Sequence, residues 1–288
     1  MIGLLIMTEK GFTVLKKIVE TYSSSIVTYV CSDRDKNVLK DFYVEIYDYC
    51  KLNGISFYNR TQNDLPYVKY KIAISWKWII KDTSNLIVFH DSLLPKYRGF
   101  NPLVTALING DTQIGVTAIQ AKEDVDSGNI IGSSEVSISY PIKIKDAIEI
   151  VSICYSELIN SIIDKIVNNL EMPSIPQDES LASFSLWRDE DDYKIDWNDS
   201  ANKIQRFIDA VGFPYKGAYS FVGDKLFKFH EVELLPDIKI ANRTPGKVLR
   251  FVSDSPVIVC KEGLLLATKI SDEDGNIYKL KNLRTRFL

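Results

Sequence analysis

The 288-residue chain predicts a doubly wound α/β domain with a mostly parallel sheet, followed by a smaller β-rich domain. Three observations carry this. Through the first half, short apolar runs alternate with segments whose apolar residues recur at helical spacing, the pattern of parallel strands joined by crossover helices. That alternation stops beyond residue 170, in a stretch with two prolines and no sustained period. Short strands separated by turns then dominate, as in a small barrel or OB-like domain.

Ile2 to Met7 reads as a buried first strand. Phe12, Leu15, Ile18, Val19 and Tyr22 then form one face of a helix, with Lys16, Lys17 and Glu20 opposite. Ile26 to Cys31 is the second strand. A second amphipathic helix is expected from about Val38 to Leu52, stopped by Asn53-Gly54, where Gly can take the left-handed cap conformation. Ile55 to Tyr58, Lys71 to Trp76 and Leu86 to His90 follow as strands. Asn101 to Asn109 reads as a short helix, Gly115 to Gln120 and Ile130 to Ile138 as strands, and Ile144 to Leu170 as a long helix. The expected organisation is therefore residues 1–170 as the first domain, 171–187 as a linker and 188–288 as the second domain. In the latter, Ile204, Phe207, Ile208 and Val211 make a helical stripe that starts near Ser200.

Composition narrows the class. An apolar content of 45% with 25% charged residues is that of a globular protein. No apolar run approaches the ~20 residues of a membrane span, so no membrane partner is expected. The start, with Glu9 close behind the first apolar run and no basic region, reads as a strand and not a signal peptide. Cysteines 31, 50, 154 and 260 form no CxxC pair and the chain has two histidines, so neither a disulfide framework nor a metal site is indicated and a cytoplasmic location is expected. There is no GxGxxG and no Walker sequence, which argues against NAD and ATP.

The informative stretch runs from His90 to Gly128: H-D-S-L-L-P-K-Y-R-G, then A-L-I-N-G-D-T-Q-I-G-V-T, then D-V-D-S-G-N-I. These blocks, in this order, resemble the catalytic core of the 10-formyltetrahydrofolate-dependent formyltransferases. A second likeness lies in I-D-W and I-Q-R-F-I-D-A followed by P-Y-K-G-A-Y-S-F, which is similar to the C-terminal domain of the two-domain members. The likeness is strong over 85–130, moderate over 187–235, and touches nearly the whole chain. It implies a Rossmann-like formyltransferase domain, a formyl group carried on a folate, and an amine acceptor. His90 and Asp126 fall where the family keeps its catalytic His and Asp. Such chemistry needs a donor for developing negative oxygen and a proton relay; the Asp beside the His is expected to fix its tautomer. Asp124 reads as a solvated loop carboxylate.

One position departs from the pattern. The family places Asn two residues before the His, and this chain has Val88. On a strand, residues 88 and 90 share a face, so the missing amide would have converged with His90. Ser75 and Lys77 are the candidates to replace it; the alternatives are His90 with backbone groups alone, or lost activity.

The resemblance also implies a folate pocket walled by Ser92, Leu93, Leu94 and Pro95, with Trp76, Lys77 and Trp78 after a strand and Glu123 and Asp124 before the catalytic Asp. Trp76 and Trp78 read equally well as core aromatics. For the acceptor, Thr8 and Lys10 at a strand-to-helix turn, and Arg98, are the candidate substrate contacts; Lys10 as a solvated lysine and Arg98 in a structural ion pair stand beside that reading. Residues 188–288 carry 17 Lys and Arg against 16 Asp and Glu, a net of +1, and the loop from Ser32 to Asn37 is short. Neither favours a nucleic-acid partner. The leading expectation is N-formylation of a nucleotide-linked amino sugar. Methionyl-tRNA formyltransferase, glycinamide ribonucleotide transformylase, a formyl-folate hydrolase and a non-catalytic folate- or nucleotide-binding paralogue remain as alternatives. The β-rich domain offers a surface suited to a homodimer.

Overall fold

The computed structural model describes residues 1–36, 38–62 and 64–288; Asn37, at the end of the short loop expected after the second strand, lies outside them. In chain order the elements are β1 (Ile2–Ile6), α1 (Thr8–Tyr22), β2 (Val27–Ser32), α2 (Tyr43–Leu52), β3 (Ser56–Asn59), β4 (Tyr70–Ile74), β5 (Leu86–His90), β6 (Arg98–Gly99), α3 (Pro102–Asn109), β7 (Gln113–Gln120), β8 (Ile130–Ser137), α4 (Ile144–Val167) and β9 (Phe184–Ser185). They continue with α5 (Ala201–Ala210), β10 (Ala218–Val222), β11 (Lys225–Leu235), β12 (Val248–Val252), β13 (Ser255–Val259) and β14 (Leu264–Asp272).

The first sheet has the order β3-β2-β1-β4-β5-β7-β8. Its pairs are parallel from β3 through β5, and antiparallel between β5 and β7 and between β7 and β8. The strand order reverses at β1, so the doubly wound expectation is met. Every residue of β1 is buried, as a central strand covered on both faces requires; this is why it reads as an uninterrupted apolar run. On α1 the buried stripe is Lys10, Gly11, Val14, Leu15 and Ile18, one helical step from the face expected.

Two boundaries moved for the same physical reason. The second helix begins at Tyr43 and not near Val38, because Phe42 adopts the left-handed conformation (φ 60°) while the Asp41 carboxylate accepts from the Tyr43 amide. Likewise β4 ends at Ile74, two residues early, where Ser75 turns left-handed (φ 53°). Hydrophobic period does not report such local reversals.

The chain divides into two compact units: residues 1–103, 113–138 and 147–186, and residues 104–112, 139–146 and 187–288. The division differs from the expected one in two places. Segments 104–112 and 139–146 group with the C-terminal residues, held by Arg206 donating to the Ile108 carbonyl and by the Lys143–Glu231 ion pair. Of the expected linker 171–187, residues 171–186 group with the first unit. They form a strap on the first unit, pairing Ile175 with Ile130 and β9 with β6.

The second unit holds a five-stranded antiparallel sheet, β10-β11-β14-β13-β12. Trp197 anchors it, packing on Phe229 and Phe287 while its indole donates to the Ser220 hydroxyl at 2.9 Å. α5 buries Ile204 and Ile208 of the expected stripe and starts behind Ser200, whose hydroxyl accepts from the Lys203 amide. Among the described residues no helix is long and apolar enough to cross a membrane.

Candidate active site

His90 ends β5, 7% exposed, with its neighbours set by register: Phe89 pairs with Ile74 on β4 and His90 with Thr117 on β7. Its Nε2 lies 2.7 Å from the Tyr97 carbonyl. A carbonyl only accepts, so Nε2 carries a proton and the neutral ring keeps its lone pair on Nδ1. That nitrogen faces the Asp126 carboxylate, Nδ1 to Oδ2 being 3.4 Å. The expectation that Asp126 fixes the tautomer is therefore corrected: the Tyr97 carbonyl does so. Asp126 stands as the counter-charge for a proton arriving at Nδ1.

Asp126 is itself held by backbone. Its Oδ2 accepts from the Gly99 amide at 2.8 Å, and the residue is left-handed (φ 53°). Two glycines make this approach possible. At Gly99 (φ +101°) a Cβ would stand 2.5 Å from the Ser185 carbonyl oxygen, and at Gly128 it would stand 1.8 Å from that of Gln120. These are the glycines of R-G and D-S-G, which explains those two motif positions sterically.

The Ser92-Leu93-Leu94-Pro95 loop is built inward more than expected. Thr117 Oγ1 donates to the Ser92 carbonyl at 2.7 Å and accepts from the Leu94 amide at 3.1 Å, while Ser92 Oγ donates to the Lys96 carbonyl. Ser92 and Leu94 are buried at 4% and 8% exposure, and a Cβ on Gly115 would meet the Leu93 side chain. Pro95 is half-buried. These residues shape the wall; their side chains are largely committed to packing.

Trp76 and Val88 pack, half-buried, with Ala121 on an apolar cluster of Leu5, Tyr29, Cys31, Ala73 and Leu86. Trp78 meets Trp76 edge-on at 5.2 Å and has the Arg60 guanidinium over its ring. Lys77 is ion-paired with buried Asp35. Ser75 Oγ is buried with no partner among the described residues. Glu123 and Asp124 lie on an exposed loop, Asp124 closing its turn by accepting from Ser127 Oγ at 3.0 Å.

Two of the candidate substrate contacts are committed elsewhere. Lys10 is buried and pairs with Asp91, which also accepts from the Tyr155 hydroxyl. Burial pushes the Asp91 carboxyl up, but the Lys10 ammonium, the Tyr155 hydroxyl and His90 together hold it below the ordinary carboxylate value. Arg98, 4% exposed, donates to both Glu179 oxygens at 2.8 Å and to Gln177 Oε1. Its guanidinium fastens the strap and does not offer a phosphate site. Thr8 is left-handed (φ 62°), with Oγ1 buried and unpartnered among the described residues. Sequence reasoning missed Tyr97, Asp91, Thr117 and Tyr155. The T of I-G-V-T and the D after His90 were visible in the motif, but only strand register gives them partners.

Two models of a single family match this chain: formyl transferase over residues 66–149, and formyl transferase, C-terminal domain, over residues 188–287. The chain belongs to the formyl transferase family. Among its family relatives, a methionyl-tRNA formyltransferase of Thermodesulfovibrio yellowstonii is 34% identical over 195 residues, covering 68% of this chain and 61% of that protein. The bifunctional polymyxin resistance protein ArnA of Wigglesworthia glossinidia brevipalpis is 28% identical over 291 residues, covering 98% of this chain and 43% of that protein. The chain thus spans about half the length of these curated relatives. The formyl transferase fold recurs in an N-formyltransferase of Helicobacter canadensis, crystallised with folinic acid and dTDP-3-aminofucose: TM-score 0.70 at 17% identity, covering 96% of this chain and 99% of that one.

Proposed function

We propose that this chain transfers the formyl group of 10-formyltetrahydrofolate to the amino group of a nucleotide-linked amino sugar. The observation that carries the reading is the His90–Asp126 pair at the carboxyl end of β5, beside a half-buried apolar shelf. The folate, when bound, supplies the activated formyl carbon. Trp76, Val88 and Ala121 suit a flat pterin, and the exposed backbone at Glu123 and Asp124 offers polar atoms to its edge. With the folate bound, His90 Nδ1 would take the proton that the acceptor amine loses and return it to the folate nitrogen as its bond to the formyl carbon breaks, Asp126 stabilising the imidazolium in between. In place of the family Asn, Ser75 Oγ is the available donor: Ser75 follows Ile74, the partner of Phe89, and its hydroxyl has no protein acceptor among the described residues.

Support for the acceptor class comes from three of the four buried hydroxyls without protein partners among the described residues, Thr8 Oγ1, Ser32 Oγ and Ser75 Oγ, the fourth being Thr28 Oγ1 within β2. The three lie at or just past the carboxyl ends of β1, β2 and β4, which are adjacent at the switch point where open α/β sheets take polar ligands. The Helicobacter enzyme, of the same fold, was crystallised with a nucleotide-linked amino sugar.

Formylation of methionyl-tRNA is the second reading, favoured by the 34% identity to an enzyme of that name. Against it stands the net charge of +1 over residues 188–288, opening with Asp189-Glu190-Asp191-Asp192, a poor partner for a polyphosphate backbone.

Purified chain is to be assayed with 10-formyltetrahydrofolate and a panel of dTDP-, UDP-, GDP- and CMP-linked amino sugars, with methionyl-tRNA in parallel. Turnover of at least one amino sugar is expected. Turnover of methionyl-tRNA alone, or tight tRNA binding with a steep salt slope, replaces the proposal with the second reading. Folate binding without turnover on any acceptor overturns both.

A further inference from the structure

Both members of the His90–Asp126 pair depend on a left-handed, non-glycine residue, and each such residue is gripped by a side chain of the strap. Tyr97 (φ 60°) presents the carbonyl that takes the His90 Nε2 proton; its amide donates to Ser183 Oγ at 3.0 Å. Asp126 (φ 53°) presents the carboxylate; its carbonyl accepts from Gln177 Nε2 at 2.8 Å, and the same amide group donates to the Gly128 carbonyl at 2.8 Å. Left-handed backbone at such residues persists only where surrounding contacts over-determine it.

The strap carries further anchors at the same two loops. Ser183 donates its amide to the Pro95 carbonyl and accepts from the Arg98 amide, so it brackets Tyr97 on both sides. Arg98 in turn clamps Glu179 and the side-chain Oε1 of Gln177, which orients Gln177 Nε2 toward residues 126 and 128. Ile175 bridges Ile130 at the far end of the Asp126 loop.

We propose that Ser183 and Gln177 are positioning residues: Ser183 holds both peptides flanking Tyr97, one through Oγ and the other through its own carbonyl, and with them the Tyr97 carbonyl that takes the His90 Nε2 proton, and Gln177 fixes the Asp126 loop and with it the carboxylate facing Nδ1. Neither side chain touches the reacting atoms. The strap thereby sets the relative placement of acid–base partners drawn from two loops far apart in sequence, and that placement governs rate more than affinity. The inference deepens the proposed function and rests on that reading for its kinetic consequences alone; the geometry of the pair is tested separately.

With only two histidines in the chain, imidazole N–H resonances in an NMR spectrum are assigned by comparison with His90→Ala. His230, whose Nε2 meets Ser271 Oγ at 2.9 Å, serves as the internal reference. In alkaline buffer, where an ordinary imidazole is neutral, the wild-type chain is expected to show a slowly exchanging His90 Nε2–H. Ser183→Ala is expected to lose that protection while the His230 signal stays, and Ser183→Thr, which keeps the hydroxyl, to restore it. Gln177→Glu keeps the acceptor for Arg98 but removes the donor to Asp126; it is expected to leave the Nε2–H protected and to move the ring-carbon chemical shifts of His90. If the proposed transfer is observed, both Ser183→Ala and Gln177→Glu lower kcat by roughly 10²-fold, the scale of an ångström misplacement, with the folate KM unchanged. An unaltered His90 spectrum in folded Ser183→Ala and Gln177→Glu overturns the inference whether or not the chain is active. Absence of turnover in the wild-type chain, with the spectral changes as expected, counts against the proposed function and leaves the positioning role standing.

Discussion

Lys10 on α1 and Asp91, the residue after His90, form an ion pair whose side chains are only 10% and 16% exposed. The Tyr155 hydroxyl from α4 completes it. The pair ties the first helix and α4 to the end of β5, so the strand end that presents His90 is braced from below the level of the motif itself.

Lys10→Ala strands a carboxylate away from water and should destabilise the fold by about 3–5 kcal/mol, the usual result of removing one member of a buried pair. The folded-state value of Asp91 is depressed, so its contribution is present above the ordinary carboxylate range and is lost as pH falls through the folded value. The stability gap between wild type and Lys10→Ala should therefore be widest near neutrality and shrink in acid. Urea unfolding across that range measures it, and a gap that widens in acid contradicts the assignment.

His90→Ala and Asp126→Asn should each reduce transfer by at least ~10²-fold, the scale of losing an acid–base or charge-stabilising group. Folate affinity should change little, since the apolar shelf is untouched. Single-turnover kinetics with a folate titration separates the two quantities; near-normal turnover in either variant removes the pair from the chemistry.

Val88→Asn should not raise turnover. Val88 packs with Trp76 and Ala121 on the cluster around Leu86 and Ala73, so a new amide would displace apolar contact and meet few partners. A cost of up to about 1–3 kcal/mol is expected for a polar group left poorly paired. Ser75→Ala, by contrast, should slow transfer by roughly 10²-fold if its hydroxyl replaces the missing donor. A gain of activity in Val88→Asn would show that the site merely lacks an amide.

Asp209 on α5 gives a different pH signature. Burial pushes its carboxyl up to about 6; Lys143 opposes this, and Glu231 and Asp146 add to it. A carboxyl raised on folding binds its proton more tightly in the native state, so stability is lost as pH rises from the unfolded value toward about 6. Asp209→Asn should remove that loss, raising stability at neutral pH by on the order of 1–3 kcal/mol and by nothing in mild acid. Thermal melts at the two pH values test the sign.

Much of the fold was legible because hydrophobic period survives any tertiary arrangement. β5 falls on Leu86–His90 and α5 starts behind Ser200, where apolar alternation, or a capping side chain, speaks for itself. Left-handed residues such as Phe42 and Ser75 were invisible, because nothing in residue type marks a non-glycine φ reversal that distant contacts impose. Residues 171–187 read as a linker for a related reason: a strap held by hydrogen bonds and ion pairs needs no apolar stripe.

The sequence by itself determined the α/β order and the family, since these rest on local pattern, and its motifs singled out His90 and Asp126 as the candidate pair. Only the tertiary structure decided which groups those residues face. Nε2 of His90 could have met any acceptor; register and the turn at Tyr97 give it a carbonyl, leaving Nδ1 to Asp126. Lys10 and Arg98 carried charges suited to a substrate phosphate, and the fold spends them on Asp91 and Glu179 instead. Pairings of this kind join residues dozens of positions apart, and sequence spacing carries no information about which of several compatible partners the folded chain brings within a hydrogen bond.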